Sequence, residues 1–373
     1  MQSDSLIHKF YYQWWKNIDK SIFLLISLLF IIGLFFSLVS TSLIVSDKLD
    51  TNSYFFFFKH LVYVSIGIII IFIFSSFSKD KLFKYSIILF FVSFFSLFLV
   101  PIIGIEVKGS RRWIDLIFLP RFQPIEVLKP FLIIFMATIL CKNKINIIYK
   151  YLLSTFLISI ISLLLIIQPD IGQTLLVVFS WVILIFTSGI SIYFLLSIFI
   201  LGSALLTYLI IYLPKFDYIQ GRIFSFFNRE TGSHNFQSDK AIESITSGGF
   251  FGKGIGEGTL KNRVPEAHTD YIISVISEEF GVVAIILILL MFLIFIHMVF
   301  KKISMETNDK IKLILIGSIS LILMQATIHV GVNIRLFPTT GMTLPFLSYG
   351  GSSIVSTSIL AGIILNLTKR KIN

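Results

Sequence analysis

The fold is decided by residues 171–213, which read IGQTLLVVFSWVILIFTSGISIYFLLSIFILGSALLTYLIIYL and contain no charged side chain. About 20 helical residues, each rising about 1.5 Å, cross the hydrocarbon core of a bilayer. The 43 residues of this stretch are too many for one span. They predict two transmembrane helices, divided near Ser188 and Gly189, and a polytopic helical membrane protein.

The composition of the whole chain predicts the same class. Of its 373 residues, 56% are hydrophobic and 14% are charged, and its mean hydropathy is +0.92, values that soluble domains do not combine. The single Cys141 excludes an internal disulfide framework. The first apolar run, residues 21–46, is too long for a cleavable signal peptide, so we expect it to remain as a helix.

Ten hydrophobic segments are predicted to cross the membrane, and the expected fold class is all-α. The segments are 21–45, 60–78, 85–105, 123–141, 151–167, the two halves of 171–213, 271–300, 311–335 and 344–367. The chain 1–373 is predicted to form one membrane domain. Segment 1–20 and the tail 368–373 are placed in the cytoplasm, and a large loop at 214–269 is placed in the periplasm.

The basic residues support this orientation in the cytoplasmic (inner) membrane. With both termini inside, every predicted cytoplasmic connection except the turn near Gly189 is basic. The net charge of +11 is therefore explained by topology, and we expect no nucleic-acid partner. Two external loops are basic as well: the loop after the third helix, with Lys108 and Arg111, and the large loop. Because these cations oppose the topological bias, an anionic ligand on the outer side is favoured over plain solvated charge.

The loop after the third helix and the start of the fourth hold the first candidate site. Arg112 beside Trp113 at a membrane edge suits a phosphate or pyrophosphate head group. Glu126 and Lys129 are three residues apart on one helical face, so they can form an ion pair. An ion pair within a span usually faces a polar cavity. The alternative is a structural pair that holds the helix against a neighbour.

Two other stretches have favoured structural interpretations. Asp170, after Gln168 and Pro169, is expected to cap the next helix. Residues 247–258, here called the glycine-rich loop, contain six glycines and could cradle a phosphate. No strand and helix flank this loop as a nucleotide site requires, so a close-packed external loop is favoured.

The residues before the eighth helix contain Glu266, His268 and Asp270 at a membrane boundary. Asp270 could be a general base, and the three side chains could bind a divalent cation. Thr269 or Asp270 could instead be the N-cap of the following helix. The residues alone leave cap and base nearly even.

The last two helices carry polar features that favour structure over chemistry. Gln325, His329 and Asn333 recur every four residues and form one stripe, for which interhelical hydrogen bonding is favoured. Residues 338–353 are rich in proline and glycine. They predict broken backbone at the outer end of the tenth helix, which a membrane protein tolerates where protein or a cavity covers it.

Taken together and in order, five motifs resemble the SEDS family (shape, elongation, division and sporulation), and its division branch more than its elongation branch. The motifs are Arg112-Trp113-Ile114-Asp115, Gln123-Pro124-x-Glu126-x-x-Lys129, Gln168-Pro169-Asp170-x-Gly172, Pro265-Glu266-Ala267-His268-Thr269-Asp270 and Leu344-Pro345-Phe346-x-Ser348-Tyr349-Gly350-Gly351-Ser352-Ser353. The resemblance departs at Thr340, where division members commonly have lysine.

The resemblance implies a peptidoglycan glycosyltransferase that polymerises lipid II at the outer face of the membrane. Its implied partners are undecaprenyl-pyrophosphate-linked glycan, a monofunctional penicillin-binding protein and other proteins of the division septum. The catalytic carboxylate is expected at Asp270. Substrate contacts are expected at Arg112, Arg121, Glu126, Lys129, His268, Ser348 and Tyr349.

Several functional alternatives stay open at this point. They are a lipid II flippase, an elongation polymerase and a scaffold that recruits the transpeptidase. No cofactor is certain, and a divalent cation, Mg²⁺ or Mn²⁺, is one possibility. Charged residues that cluster on the outer side favour external chemistry over a path through both leaflets.

Overall fold

A computed structural model describes residues 2–40, 54–107, 110–116, 119–212, 216–228 and 236–369. Lys108, the end of the first predicted span and the last four residues lie outside the described residues. The helices are α1 Gln2–Asn17, α2 Lys20–Ser40, α3 Phe55–Ser76, α4 Lys79–Ile103, α5 Pro124–Leu140, α6 Ile147–Ile167, α7 Ile171–Thr187, α8 Ile192–Tyr212, α9 Asp217–Asn228, α10 Phe236–Gly248, α11 Ile272–Met305, α12 Asp309–Asn333 and α13 Gly351–Leu367. The strands are β1 Ile105–Val107, β2 Ser110–Leu116 and β3 Leu119–Phe122.

Each of the ten predicted hydrophobic segments contains a helix, from α2 to α8 and from α11 to α13. Among the described residues, seven of these helices are long and apolar enough to cross a membrane, and α7 and α13 are shorter apolar helices. The predicted division of 171–213 is confirmed, since α7 ends at Thr187 and α8 begins at Ile192. The chain is therefore a mostly helical integral membrane protein.

Side-chain caps fix where several helices begin. Asp170 accepts a hydrogen bond from the backbone N–H of Gln173, so the predicted cap of α7 is confirmed. Asn146 caps α6 and Asn308 caps α12 in the same way. Asp19 accepts from the first N–H groups of α2 and forms an ion pair with Lys302 at 2.7 Å. Such caps supply partners for N–H groups that the helix itself leaves unpaired.

The structure departs from the all-α expectation in the loop after α4. There β1, β2 and β3 form a small antiparallel sheet in sequence order. In the sequence this stretch resembles a polar loop, because each strand is too short to show a clear strand pattern. The strands are stabilised by pairing with one another, which the preference of each residue for strand conformation does not reveal. The sheet holds Arg112 and Arg121 on adjacent strands beside the helical bundle.

Two helix boundaries also differ from those predicted. The N-terminal segment, expected only as a polar stretch, forms α1, whose Trp14 is buried and donates to Ser75 at 2.8 Å. The last helix begins at Gly351 instead of 344. Pro345 and the left-handed backbone of Phe346, with φ of 66°, interrupt the helical pattern before it.

The centre of the bundle is formed by α5, α12 and α13, whose residues are mostly buried. Close packing between α3 and α13 fixes the last helix, since Asn366 donates to the carbonyls of Phe74 and Phe77 at the end of α3. At the opposite end of the bundle, Ser352 accepts from the N–H of Gln123, which ties the start of α13 to the start of α5.

Candidate functional site

A cavity of about 790 Å³ lies at the end of the bundle where α5, α7, α11 and α13 begin. Its walls come from β1 to β3, from α9 and α10, from the first turns of α5, α7 and α13, and from the segments before α5, α11 and α13. The lining residues are Val107, Ser110, Arg112, Trp113, Arg121, Gln123, Glu126, Gln173, Arg222, Gln237, Glu266, Thr269, Asp270, Thr339, Thr340, Gly341, Met342, Thr343, Tyr349, Gly350, Ser352 and Ser353. A helix N-terminus carries a partial positive charge that favours an anion, although the carboxylate of Asp170 already caps the N-terminus of α7.

Asp270 lines this cavity and is held by backbone contacts. The N–H groups of Asp270 and Thr269 both donate to the carbonyl of Glu266, whose left-handed backbone, with φ of 55°, starts the tight turn. The carbonyl of Asp270 accepts from Asn333 at 3.0 Å. The N-cap of α11 is Tyr271, so the alternative in which Thr269 or Asp270 is that cap is wrong. The turn fixes the aspartate at the cavity wall.

Glu126 and Lys129 form a buried ion pair behind the cavity wall. Their Oε2 and Nζ atoms are 2.9 Å apart, and the residues are 3% and 1% exposed. Gln173 donates to the other oxygen of Glu126 at 2.6 Å. Glu126 lines the cavity, whereas Lys129 does not and instead donates to Gln325 at 3.4 Å. Direct contact of Lys129 with a substrate, as expected from the sequence, is therefore not supported by this arrangement.

Arg112 lines the cavity and also clamps the turn before α7. Its guanidinium donates to the carbonyls of Gln168 and Pro169 and lies 3.6 Å from the carboxylate of Asp170. Burial raises the pKa of Asp170, and the positive charge of Arg112 partly offsets this rise. Gln123 donates to the second oxygen of Asp170 at 2.8 Å. Arg112 thus has a structural role beside any role in binding.

Arg121 and Arg222 bring two further guanidinium groups to the cavity from different sides. Arg121 is exposed and forms an ion pair with Asp115 across the β2–β3 hairpin at 2.9 Å. Arg222 lies on α9, is half-buried, and donates to the carbonyl of Thr339 at 2.8 Å. Together with Arg112, these side chains form a cationic wall of the cavity. A polyanionic head group fits such a wall.

Of the remaining expected contacts, Tyr349 lines the cavity, whereas His268 and Ser348 do not. The ring of Tyr349 packs with the rings of Tyr63 and His268. Ser348 is buried and accepts from the N–H of Leu344. The ring of His268 packs on Phe56 at 4.3 Å. Both side chains therefore support the cavity wall from behind.

The predicted polar stripe of α12 is confirmed as a hydrogen-bonding element. Gln325 donates to the carbonyl of Thr343, and His329 bonds the carbonyl of Met342 at 2.7 Å. Asn333 donates to Asp270, as described above. The stripe holds two segments that lie outside the regular helices, just before α11 and α13, and both segments line the cavity.

The glycine-rich loop is confirmed as a close-packed loop. It lies against α11, and the N–H groups of Leu260 and Lys261, just after it, donate to Glu278. Gly256 donates to Glu279, which also pairs with Lys261 at 2.5 Å. Donors that could have cradled a phosphate are thus directed at carboxylates of the same chain.

Comparison with known proteins identifies the family. A profile described as "Cell cycle protein", for FtsW, RodA and SpoVE, matches residues 19–373. The chain belongs to the FtsW/RodA/SpoVE family. This is the SEDS family that the motifs resemble.

Relatives in the SEDS family include proteins named probable peptidoglycan glycosyltransferase FtsW. One, from Coxiella burnetii (strain RSA 493 / Nine Mile phase I), is 32% identical over 88% of this chain and 90% of its own length. Another, from Trichlorobacter lovleyi (strain ATCC BAA-1151 / DSM 17278 / SZ), is 37% identical over 76% of each chain. The FtsW relatives agree with the division-branch resemblance.

Solved structures share the fold. One similar structure is a chain of a peptidoglycan synthase complex, described in terms of the structural coordination of polymerization and crosslinking. It has a TM-score of 0.77 at 24% identity, and the match covers 94% of this chain and 97% of that chain. The rod shape determining protein RodA of Thermus thermophilus has a TM-score of 0.69 at 25% identity, covering 94% and 96%. The helical arrangement described above is therefore a SEDS fold.

Sequence reasoning missed Arg222 as a cavity residue of this SEDS protein. It was one of several cations in the large loop, and only the packing of α9 over Thr339 brings it to the cavity. An arginine within an amphipathic loop helix was the available signal.

Among the described residues, no group of three histidine, cysteine or acidic side chains could hold a metal ion.

Proposed function

We propose that this chain is a peptidoglycan glycosyltransferase that polymerises lipid II, with Asp270 as the general base. The observation that carries this proposal is the position of Asp270 in one cavity with Arg112, Arg121 and Arg222. A base and a set of cations are what glycosyl transfer from a lipid-linked pyrophosphate needs.

In the proposed reaction, the 4-hydroxyl of one lipid II sugar attacks the anomeric carbon of the glycan attached to undecaprenyl pyrophosphate. The new bond joins that oxygen to the anomeric carbon. The bond from the anomeric carbon to the pyrophosphate oxygen breaks, and the pyrophosphate leaves with the electron pair. Asp270 takes the hydroxyl proton, and the arginine side chains and helix N-termini stabilise the negative charge that grows on the leaving group.

Glu126 and Lys129 act together in this proposal. Glu126 faces the cavity and would repel a pyrophosphate if its charge were not balanced. Lys129 balances it at 2.9 Å from behind, and Gln173 fixes its second oxygen. The pair can then orient a hydroxyl of the substrate without opposing the phosphate charge. This role replaces the direct substrate contact expected of Lys129 from the sequence.

A divalent cation fits the cavity only as a group shared with the substrate. Mg²⁺ commonly binds through one or two carboxylates together with substrate phosphates. Asp270 and Glu266 both line the cavity and would hold it, which agrees with the lack of a three-ligand group among the described residues. Such an ion would neutralise charge on the pyrophosphate.

For the membrane arrangement, we propose ten crossings of the inner membrane, with both termini in the cytoplasm and the 214–269 loop in the periplasm. The basic residues support this orientation. Lys301, Lys302 and Lys369 lie at helix ends remote from the start of α5 and α11, where the cavity is found. We also propose a septal role, with a monofunctional penicillin-binding protein and other division proteins as partners. The FtsW names of the relatives and the peptidoglycan synthase complex among the similar structures support this proposal.

The central experiment is a lipid II polymerisation assay on the purified complex with its cognate transpeptidase. Asp270→Asn keeps the size of the side chain and removes the base, so glycan products are expected to disappear while complex formation persists. Normal polymerisation by Asp270→Asn would refute the assignment of the base.

Liposomes with lipid II in one leaflet separate polymerisation from the flippase alternative. We expect no protein-dependent transfer of lipid II between leaflets. Transfer without polymerisation would favour the flippase, and an Asp270 substitution harmless in cells would favour the scaffold.

A further inference from the structure

The glycine-rich loop supplies backbone partners to a break in a membrane helix. At Gly281 the backbone of α11 leaves the helical conformation, with φ of 76°. Before the break, the carbonyls of Glu278 and Glu279 accept from the N–H groups of Lys253 and Gly254. After it, the N–H groups of the next two residues donate to the carbonyls of Gly249 and Phe250. The loop thus supplies hydrogen-bond partners to the helix backbone on both sides of the break.

Two glycines make this close approach possible. A Cβ atom on Gly281 would lie 2.1 Å from the carbonyl oxygen of Phe250, and one on Gly252 would lie 2.1 Å from that of Glu279. Both positions also have positive φ, which glycine adopts at little cost. The loop is therefore fixed to α11 by its backbone, and its position along that helix is defined.

The length of α11 gives the depth of this contact in the membrane. No aspartate, glutamate, lysine or arginine occurs from Phe280 to Phe300, between Glu279 and the Lys301–Lys302 pair. About 20 helical residues span the hydrocarbon core, so this run fills the core and leaves Gly281 at the boundary on the cavity side. The carbonyl of Phe250, bonded to the N–H of Val283, lies at the same level.

The side chains near Gly281, at the predicted membrane boundary, are apolar and exposed. Phe250 is 75% exposed and Phe251 is 84% exposed. Phe35 of α2 is exposed too, and it packs on Phe280 next to the break. Lys261 donates to the carbonyl of Val39 in the last turn of α2, so the chain after the loop is joined to a second membrane helix. The exposed aromatic side chains thus continue the lipid-facing surface of the bundle.

We propose that the glycine-rich loop is a lipid-binding element that inserts Phe250 and Phe251 into the edge of the outer leaflet. Aromatic side chains are enriched at this depth, and the four backbone hydrogen bonds to α11 leave fewer polar groups of the loop to be solvated at the boundary. The partner is the bilayer itself, where head groups meet acyl chains. The loop would thereby keep the large extracytoplasmic segment against the membrane surface beside the cavity.

The test measures the depth of a spin label in the full chain reconstituted in phospholipid nanodiscs. Replacing the single cysteine by Cys141→Ser allows labelling of Phe250→Cys or Phe251→Cys separately. Glu257→Cys, exposed in the same loop, is the aqueous control, and Phe95→Cys, exposed on α4, is the lipid control. The measured quantity is the ratio of the collision rate with oxygen to the collision rate with a nickel chelate, which is higher for a label in the bilayer than for one in water. The ratio is expected to be severalfold higher at positions 250 and 251 than at position 257, and lower at positions 250 and 251 than at position 95.

Two outcomes would overturn the proposal. A ratio at 250 and 251 equal to that at 257 would place the loop in water. Low collision rates with both reagents would show that a protein surface covers the two positions. A label at Ile255→Cys, which is 65% exposed and leaves both phenylalanines intact, repeats the measurement without changing them. The result does not depend on glycosyltransferase activity, so it fails or succeeds separately from the proposed reaction.

Discussion

Two buried ion pairs lie near the cavity-side ends of membrane helices, and their surroundings differ. Glu126 and Lys129 contact side chains from α7 and α12, and Glu126 faces the cavity. Glu279 and Lys261 contact backbone groups of the glycine-rich loop and of α2, away from the cavity lining. We therefore expect the first pair to affect both activity and stability, and the second pair to affect stability alone.

The largest effect is expected at the first pair. Lys129→Met leaves Glu126 buried without its cation, which is expected to lower the free energy of unfolding by about 3–5 kcal/mol. Polymerisation of lipid II should be lost as well. Chemical denaturation in detergent micelles and the polymerisation assay measure the two effects on the same preparation.

The matched control is the double variant Glu126→Gln with Lys129→Met. Replacing both partners removes the unpaired charge, so most of the stability should return. Activity should stay lost, because the cavity no longer has the balanced carboxylate. A double variant with normal polymerisation would mean that this pair is structural only, like the second pair.

The second pair should affect stability alone. Lys261→Met is expected to cost about 3 kcal/mol, at the lower end for breaking a buried pair, because Glu279 keeps the N–H of Gly256. The double variant with Glu279→Gln should recover stability, and activity per folded molecule should be unchanged in both variants. Full stability with lost polymerisation would contradict the distinction between the two pairs.

The sequence predicted those features of the fold that depend on local composition. Uncharged runs predicted the helices because the bilayer selects apolar segments of fixed length. Asp170 was predicted as a cap, and the α12 stripe as a hydrogen-bonding element, because both depend on spacing within one segment. The position of Asp270 at a helix start followed from the same local pattern.

Features set by contacts distant in the chain were not predictable in this way. The break at Gly281 and the approach of Arg222 to Thr339 each join segments far apart in the sequence. The β1–β3 sheet is local, and the sequence analysis missed it because its strands are short. His268 and Ser348 belong to motifs that line the cavity, yet neither residue is part of its lining. Residue type alone does not decide which members of a motif reach a cavity.

The smallest effects are expected in the cationic wall. Arg222 is more buried than Arg121, so its substitution should lower activity more. Arg222 is half-buried, so its charge is screened little, and Arg222→Gln should lower kcat/KM about tenfold, or about 1.4 kcal/mol of transition-state stabilisation. The Arg121 side chain is 62% exposed and already paired with Asp115. Arg121→Gln should therefore change stability by at most about 1 kcal/mol and kcat/KM by less than the Arg222 substitution.

Salt dependence distinguishes the two arginines further. Raising the ionic strength from about 0.1 M to about 1 M shortens the screening length from about 10 Å to about 3 Å. The deficit of Arg121→Gln relative to the unaltered chain should then vanish, because the exposed guanidinium no longer contributes. The deficit of Arg222→Gln should persist, since protein shields that side chain from salt. Equal salt responses of the two variants would show that the cavity is open to solvent on both sides, and the comparison of buried with exposed charge would no longer explain this wall.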